Sequence, residues 1–354
     1  MKNRIIAATI LALACTGASA QGLKQVATIQ IPGVPINQFG TLYIDQPSGL
    51  GYLAEKDNKA VVVFDTTTNQ FIKRIIGFGG LNDKGQLAGP NGLVIVNDGA
   101  ELWVSDGDSS IRIVDLATGQ IESTIATGGK ERANAMAYDP IDRVVIVANS
   151  NEPTPFLSVI SIEKDRKIIG KIPITDSAEN IERSVFQPSS GMFWTAIPVS
   201  ARDASNGLLA QTNAKTGQLV ALHDLDGCHP HSLQLVSDTS IFLGCSNGHG
   251  PAPKPGGDLA VFDIASKKVV LKMEGLGGNG SSDLDAKRKR YVHATTNATL
   301  LVVDPAKRGL VEKLATSAGS RSIAVHHQSD RIYLATTAKD GPCGGCILVY
   351  ANGD

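Results

Sequence analysis

The chain has 354 residues, of which 42% are hydrophobic and 19% are charged, and its formal net charge is -1. This near-neutral balance gives no support for nucleic-acid binding or for electrostatic attachment to a membrane. The length suits either two ordinary domains or one large closed β fold.

The first twenty residues have the three parts of a secretory signal peptide. A basic start precedes the apolar run Ile5–Ala14, which is too short to span a bilayer, and Ala18–Ala20 fits the small-x-small cleavage rule. We therefore predict that residues 1–20 are a signal peptide and that residues 21–354 form a periplasmic or secreted protein with no membrane span. A buried N-terminal helix and lipidation at Cys15 are the alternatives.

A strand–turn–strand unit then recurs along the chain. Its clearest copy is Glu101–Gly129, ELWVSDGDSSIRIVDLATGQIESTIATGG, in which alternating apolar strands flank turns rich in Asp, Ser and Gly. The pattern IRIVDLATGQIESTI within it has six copies, spaced by roughly 40–50 residues. These copies begin at Val61, Ile111, Leu157, Leu208, Leu259 and Leu300.

Two further strands precede each copy, with hairpin turns such as Asp139-Pro140, Ser237-Asp238 and Ser329-Asp330. Four strands per unit at this period predict the blades of a β-propeller.

The last unit lacks its fourth strand, because the chain ends soon after Cys346. The segment Val26–Ile31 has no strand partner nearby and resembles the fourth strands of the other units. Since a β protein must protect its open edges, we expect this segment to pair with the last strand and close the ring. The prediction is an all-β, seven-bladed propeller with blade cores near 39–76, 87–127, 132–174, 179–225, 229–274, 280–316, and 318–350 plus 24–31.

The stretches ELWVSDGDSSIRIVDLATGQIESTI and GYLAEKDNKAVVVFDTTTNQFIKRI resemble the YVTN-type β-propeller repeat. The resemblance covers nearly all of residues 21–354 and implies an exported bacterial or archaeal propeller. It is specific for the fold and much less so for function, because propellers host many unrelated sites. The sequence departs from the repeat where Pro198–Gly207 lengthens a turn in blade 4 and where His249–Gly257 does so in blade 5.

The starts of the inner strands carry polar and charged residues, and the family resemblance implies that ligands bind there, at the mouth of the central channel. Convergent polar groups in one concavity favour a binding site, although the same groups could cap strand ends in a wet channel. The predicted site residues are Asn91, Asn134, Glu182, Arg183, His229, His231, Asp283 and Arg321, with Asn37 and Gln38 at the start of blade 1.

Three hypotheses compete for this ring of residues. A divalent metal is the first: oxygen ligands such as Glu182 suit Ca²⁺ or Mg²⁺, whereas Glu182 with His229 and His231 suits Zn²⁺. An anion or small ligand held by Arg183 and Arg321 is the second. Contact with another protein through the loop face is the third.

Four cysteines follow the predicted signal peptide, and an even number in an oxidising compartment indicates disulfides before metal ligands. Cys228 and Cys245 lie at neighbouring ends of one hairpin, so we predict that they form a disulfide. Cys343 and Cys346 form a CxxC pair, for which a structural disulfide competes with a redox-active or metal-binding pair. No histidine follows Cys346, so the sequence predicts no haem attachment.

The sequence favours a monomeric ligand-binding or partner-binding propeller, with its site at the channel mouth and a small molecule or protein as partner. The alternative is a metal-dependent, lactonase-like hydrolase or lyase at the same mouth, using Glu182, His229 or His231. The sequence contains no P-loop, nucleotide fingerprint or nucleophile elbow.

Overall fold

The computed structural model describes residues 22–246 and 256–353. The predicted signal peptide, residues 1–20, and most of the extended blade 5 loop, residues 247–255, lie outside them. No helix in these two ranges is long and apolar enough to cross a membrane.

The described residues form seven antiparallel four-stranded sheets arranged as a seven-bladed propeller, which confirms the predicted fold class. One 3-10 helix, Asn97–Gly99, interrupts the strands. In chain order the strands are β1 (Leu23–Gln30), β2 (Phe39–Ile44), β3 (Leu50–Glu55), β4 (Ala60–Asp65), β5 (Gln70–Ile76), β6 (Leu93–Val96), β7 (Glu101–Ser105), β8 (Ser110–Asp115), β9 (Gln120–Ala126), β10 (Ala133–Asp139), β11 (Val144–Asn149), β12 (Phe156–Ser161), β13 (Ile168–Pro173), β14 (Ser184–Gln187), β15 (Met192–Ile197), β16 (Leu208–Asn213), β17 (Gln218–Asp224), β18 (Pro230–Ser237), β19 (Ser240–Cys245), β20 (Asp258–Asp263), β21 (Lys268–Glu274), β22 (Gly280–Asp285), β23 (Arg290–Thr295), β24 (Thr299–Asp304), β25 (Gly309–Ala315), β26 (Ser322–His326), β27 (Arg331–Thr336) and β28 (Cys346–Asn352).

The N-terminal strand closes the ring, as predicted. The last sheet has the order β1-β28-β27-β26, so its outer strand comes from the other end of the chain. The antiparallel pairing runs from Leu23 opposite Asn352 to Gln30 opposite Cys346. Backbone hydrogen bonds therefore join the first and last described strands, and β28 has a strand partner on both sides.

The aspartate that ends the third strand of several blades has a structural role in the repeat. The Oδ1 atom of Asp115 accepts a hydrogen bond from the backbone N–H of Thr118 at 2.6 Å, and Asp263 does the same for Ser266 at 2.7 Å. These Asx turns reverse the chain between the third and fourth strands. Gly119 completes the first of them at φ +75°, where a residue without a Cβ atom is favoured.

The core lies between neighbouring blades. Trp103 of blade 2 is fully buried and packs in one cluster with Val147 of blade 3. Trp194 of blade 4 is equally buried and clusters with Phe262 of blade 5. The two tryptophans therefore act as packing residues between blades.

The inner strands β2, β6, β10, β14, β18, β22 and β26 contact one another in a ring around the central channel. The first residues of these strands meet at one end of the channel. The loops between second and third strands lie at this same end, because the connectivity of every blade is alike. We call this end the channel mouth.

Candidate functional site

A cavity of about 190 Å³ occupies the channel mouth. Its walls are the first residues of the inner strands, the residues just before them, and one residue from the turn between β3 and β4. The lining residues are Phe39, Gly40, Thr41, Lys56, Asn91, Arg132, Asn134, Ala135, Glu182, Arg183, His231, Asn279, Gly280, Arg321 and Ser322.

Irregular strand pairing turns several of these residues into the cavity. The register shifts between Phe39 and Leu42 in β2, between Ala133 and Met136 in β10, and around His231 in β18. A β-bulge breaks the strict alternation of side chains along a strand. Five lining residues lie at these shifts: Gly40, Thr41, Asn134, Ala135 and His231.

Positive charge dominates the mouth cavity. It is lined by four cationic side chains, Lys56, Arg132, Arg183 and Arg321, and by a single carboxylate, that of Glu182. Within the described part of the chain, none of the four forms a direct ion pair. The described lining therefore has more basic than acidic side chains.

Two of the arginines have hydrogen-bonding capacity left for a ligand. The Nε atom of Arg132 is buried and has no hydrogen-bond partner among the described residues. Arg321 donates from Nη2 to the backbone carbonyl of Phe39 at 3.3 Å. A guanidinium carries five N–H donors, so each has several left to direct at an anion.

Glu182 is held by neutral groups on two sides. Its Oε1 atom accepts a hydrogen bond from the side-chain amide of Asn180 at 3.1 Å, and its Oε2 atom accepts one from Asn134 at 3.5 Å. The Nδ1 atom of His231 lies 3.9 Å from Oε1. Asn91 in turn donates to the side-chain oxygen of Asn134, so the amides form a chain along one wall.

Lys56 is a buried cation of the cavity with a strongly lowered pKa. Its side chain is buried, with 7% of its surface exposed. Burial, together with the neighbouring charges of Arg132 and Arg321, lowers the pKa of Lys56 to about 7. Burial also lowers the pKa of Arg183 and of Arg321, although the charge of Glu182 acts in the opposite direction. In all three cases the pKa is lowered because burial and neighbouring positive charges disfavour the protonated form.

The structure brings six of the eight predicted site residues together at the cavity: Asn91, Asn134, Glu182, Arg183, His231 and Arg321. Asp283 lies deeper, in a second chamber of about 340 Å³ that shares Arg183 with the mouth cavity. The Asp283 carboxylate accepts hydrogen bonds from the backbone N–H groups of Val325 and Leu284, both at 2.8 Å, and burial raises its pKa.

His229 does not line the cavity, contrary to the expectation from sequence. It is buried, and its Nδ1 atom lies 2.7 Å from the carbonyl oxygen of Pro198 in the extended blade 4 loop. The pairing shift around His231 turns that residue, and not His229, toward the mouth. His229 therefore links blades 4 and 5.

The zinc set suggested by the sequence is not assembled. Glu182 and His231 share the cavity, but His229 lies outside it. The described residues contain no group of three or more His, Cys, Asp or Glu side chains placed to hold a metal ion. The chemistry of the lining suits an anion better than a cation, because four of its five formal charges are positive.

Two cationic residues of the cavity were missed by the sequence prediction. Lys56 follows the second strand of blade 1, on the loop that reaches the channel mouth, and it takes the place expected for Asn37 and Gln38. Arg132 lies immediately before β10, two residues ahead of the predicted Asn134. Both positions belong to the segments that the propeller connectivity directs to the mouth.

Both predicted disulfides are present. Cys228 and Cys245 are bonded with Cα atoms 5.2 Å apart, and they hold the two ends of the hairpin that carries His231. Cys343, in the loop between β27 and β28, is bonded to Cys346, the first residue of β28. The two disulfides therefore stabilise loops at the channel mouth.

No protein-family model matches the chain, and no curated protein sequence matches it at a significant level.

Proposed function

We propose that this chain is an exported YVTN-type propeller that binds a small anion, carrying a carboxylate or phosphate group, in the mouth cavity. The observation that carries the proposal is the charge of the lining: four cationic side chains surround a small cavity with one carboxylate. Arginine pairs with carboxylates and phosphates through two parallel hydrogen bonds, which gives strength and orientation.

The size of the cavity limits the ligand. The cavity volume is about 190 Å³. A small acid fits this space, whereas a folded partner or a peptide would have to bind over the surrounding loops. Each hydrogen bond to a charged group contributes about 1.5–3 kcal/mol, so a few such bonds suffice for specific binding.

Export is supported by the signal-peptide pattern of residues 1–20 and by the two disulfides. Disulfides of this structural kind persist in oxidising compartments. The strand–turn–strand copies support membership of the YVTN-type repeat class, because the Asx turns explain the aspartate that they share.

Titration calorimetry on residues 21–354 tests the proposal, with inorganic phosphate and a small monocarboxylate as separate ligands. Arg321→Gln should weaken binding at least about 10-fold, because it removes one charge-assisted pair. Arg143→Gln is the matched control, since Arg143 pairs with exposed Glu163 outside the cavity. Absence of binding to the wild-type protein, or equal loss in both variants, would contradict the proposal.

A further inference from the structure

We propose that Lys56 forms a reversible imine with the carbonyl group of a small 2-oxo carboxylic acid bound in the mouth cavity. This inference rests on the anion site proposed above and adds a covalent step to it. The carboxylate of such a ligand would be held by the arginines, and its adjacent carbonyl carbon would face the lysine.

The arrangement of the cavity places an amine beside a carboxylate-binding group. Lys56, Arg132, Arg321 and Glu182 all line the same small space. Within the ranges that the structure describes, the Lys56 ammonium forms neither a hydrogen bond nor an ion pair. A buried lysine that stabilises no structural partner is available for a ligand.

The turn that carries Lys56 is held rigidly. The Lys56 backbone N–H donates to the carbonyl of Gln38 at 3.0 Å. The Asp57 carboxylate accepts hydrogen bonds from the backbone N–H groups of Asn37 and Gln38, both at 2.5 Å. The preceding residue, Glu55, is fully buried and paired with Arg74 through Nε at 2.7 Å. Supporting contacts of this kind fix the position of a reactive side chain.

The electrostatic surroundings favour the reactive form of the amine. Only the unprotonated amine attacks a carbonyl, and a lysine beside other cations in a desolvated pocket is a known way to obtain it. Because the pKa of Lys56 is lowered to about 7, about half of its amine is unprotonated at neutral pH. An ordinary exposed lysine has a free-amine fraction smaller by roughly a thousandfold.

The proposed step is balanced without any oxidant or reductant. The Lys56 nitrogen forms a bond to the carbonyl carbon, and the carbonyl oxygen takes up a proton. The same oxygen takes up a second proton and leaves as one water molecule when the C–O bond breaks. The nitrogen, which carries two protons as the free amine, gives up both in total and forms the C=N bond. We assign the proton transfers between nitrogen and oxygen to Glu182, the one carboxylate among the described residues that line the mouth cavity.

Reductive trapping tests this inference. Residues 21–354 are incubated with pyruvate and cyanoborohydride near neutral pH, and the modified lysines are identified by peptide mass mapping. Lys56 should be modified at least about 10-fold faster than exposed Lys73, which lies on the outer strand β5. Lys56→Arg should abolish that modification while leaving the labelling of Lys73 unchanged.

Two comparisons separate the possible failures. If phosphate binds to the wild-type protein but pyruvate labels Lys56 no faster than Lys73, the imine is refuted and the anion site stands. If neither phosphate nor pyruvate binds, the anion site itself is refuted. If acetone labels Lys56 as fast as pyruvate, the arginines do not guide the carboxylate and the 2-oxo acid assignment is wrong.

Discussion

Replacing Lys56 by methionine should change the pH dependence of stability. Methionine keeps an unbranched apolar side chain, one heavy atom shorter than lysine, and removes its charge. The pKa of Lys56 in the folded protein is about 7, and the ordinary value for lysine is about 10.4. Between these values the unfolded chain binds a proton that the folded chain does not, so the wild-type protein gains stability as pH rises.

The size of the effect follows from that shift. Each pKa unit corresponds to about 1.4 kcal/mol, so burying protonated Lys56 costs on the order of 4–5 kcal/mol below neutral pH. At about pH 9 the folded protein holds Lys56 neutral, whereas the same lysine in the unfolded chain is still protonated. This difference leaves a cost to folding of roughly 2 kcal/mol. Lys56→Met should therefore stabilise the protein more at about pH 6 than at about pH 9, with a difference of about 2–3 kcal/mol.

Urea unfolding of both proteins at the two pH values measures this difference. All other titrating groups are shared by the two proteins, so their contributions largely cancel. The free energy of unfolding of the variant minus that of the wild type should fall as pH rises. A difference that is constant with pH, within about 0.5 kcal/mol, would refute the lowered pKa of Lys56 and the burial and neighbouring positive charges to which it is attributed.

Three further predictions concern the fold. Deleting residues 21–31 should lower the free energy of unfolding by more than about 5 kcal/mol, because it removes β1 and its buried side chains; unchanged unfolding would refute ring closure. Cys228→Ser with Cys245→Ser should cost about 3 kcal/mol in non-reducing buffer, from the 17-residue separation of the bonded cysteines, and an equal urea midpoint would contradict that role. Trp194→Ala should cost about 3–5 kcal/mol, whereas Ile76→Ala, at an exposed position, serves as the control and should change thermal unfolding little.

The sequence predicts the blades well because each blade is specified locally. Alternating apolar residues define the strands, and a turn residue such as Asp115 fixes the reversal through contacts three residues away. The closing strand could be predicted too, since Val26–Ile31 has the pattern of a fourth strand and no neighbour with which to pair. The same local pattern recurs in each blade, so each copy supports the assignment of the others.

The candidate site is less predictable because it depends on how distant blades meet. Lys56 lies in a turn that resembles an exposed one, and its burial arises only when Arg132 and Arg321 from other blades approach it. Both histidines were predicted at the cavity, and the placement of His231 there without His229 depends on a local pairing shift in β18. Composition and periodicity do not specify such a shift, which reverses the direction of a side chain.

A crystal structure with selenate, a dianion of about the size of phosphate, tests the central claim most directly. Anomalous scattering would locate selenium without reference to the protein atoms. We predict a peak inside the mouth cavity, within hydrogen-bonding distance of the Arg132 and Arg321 guanidinium groups. A mouth cavity without selenate, in crystals that bind it elsewhere, would contradict the anion site.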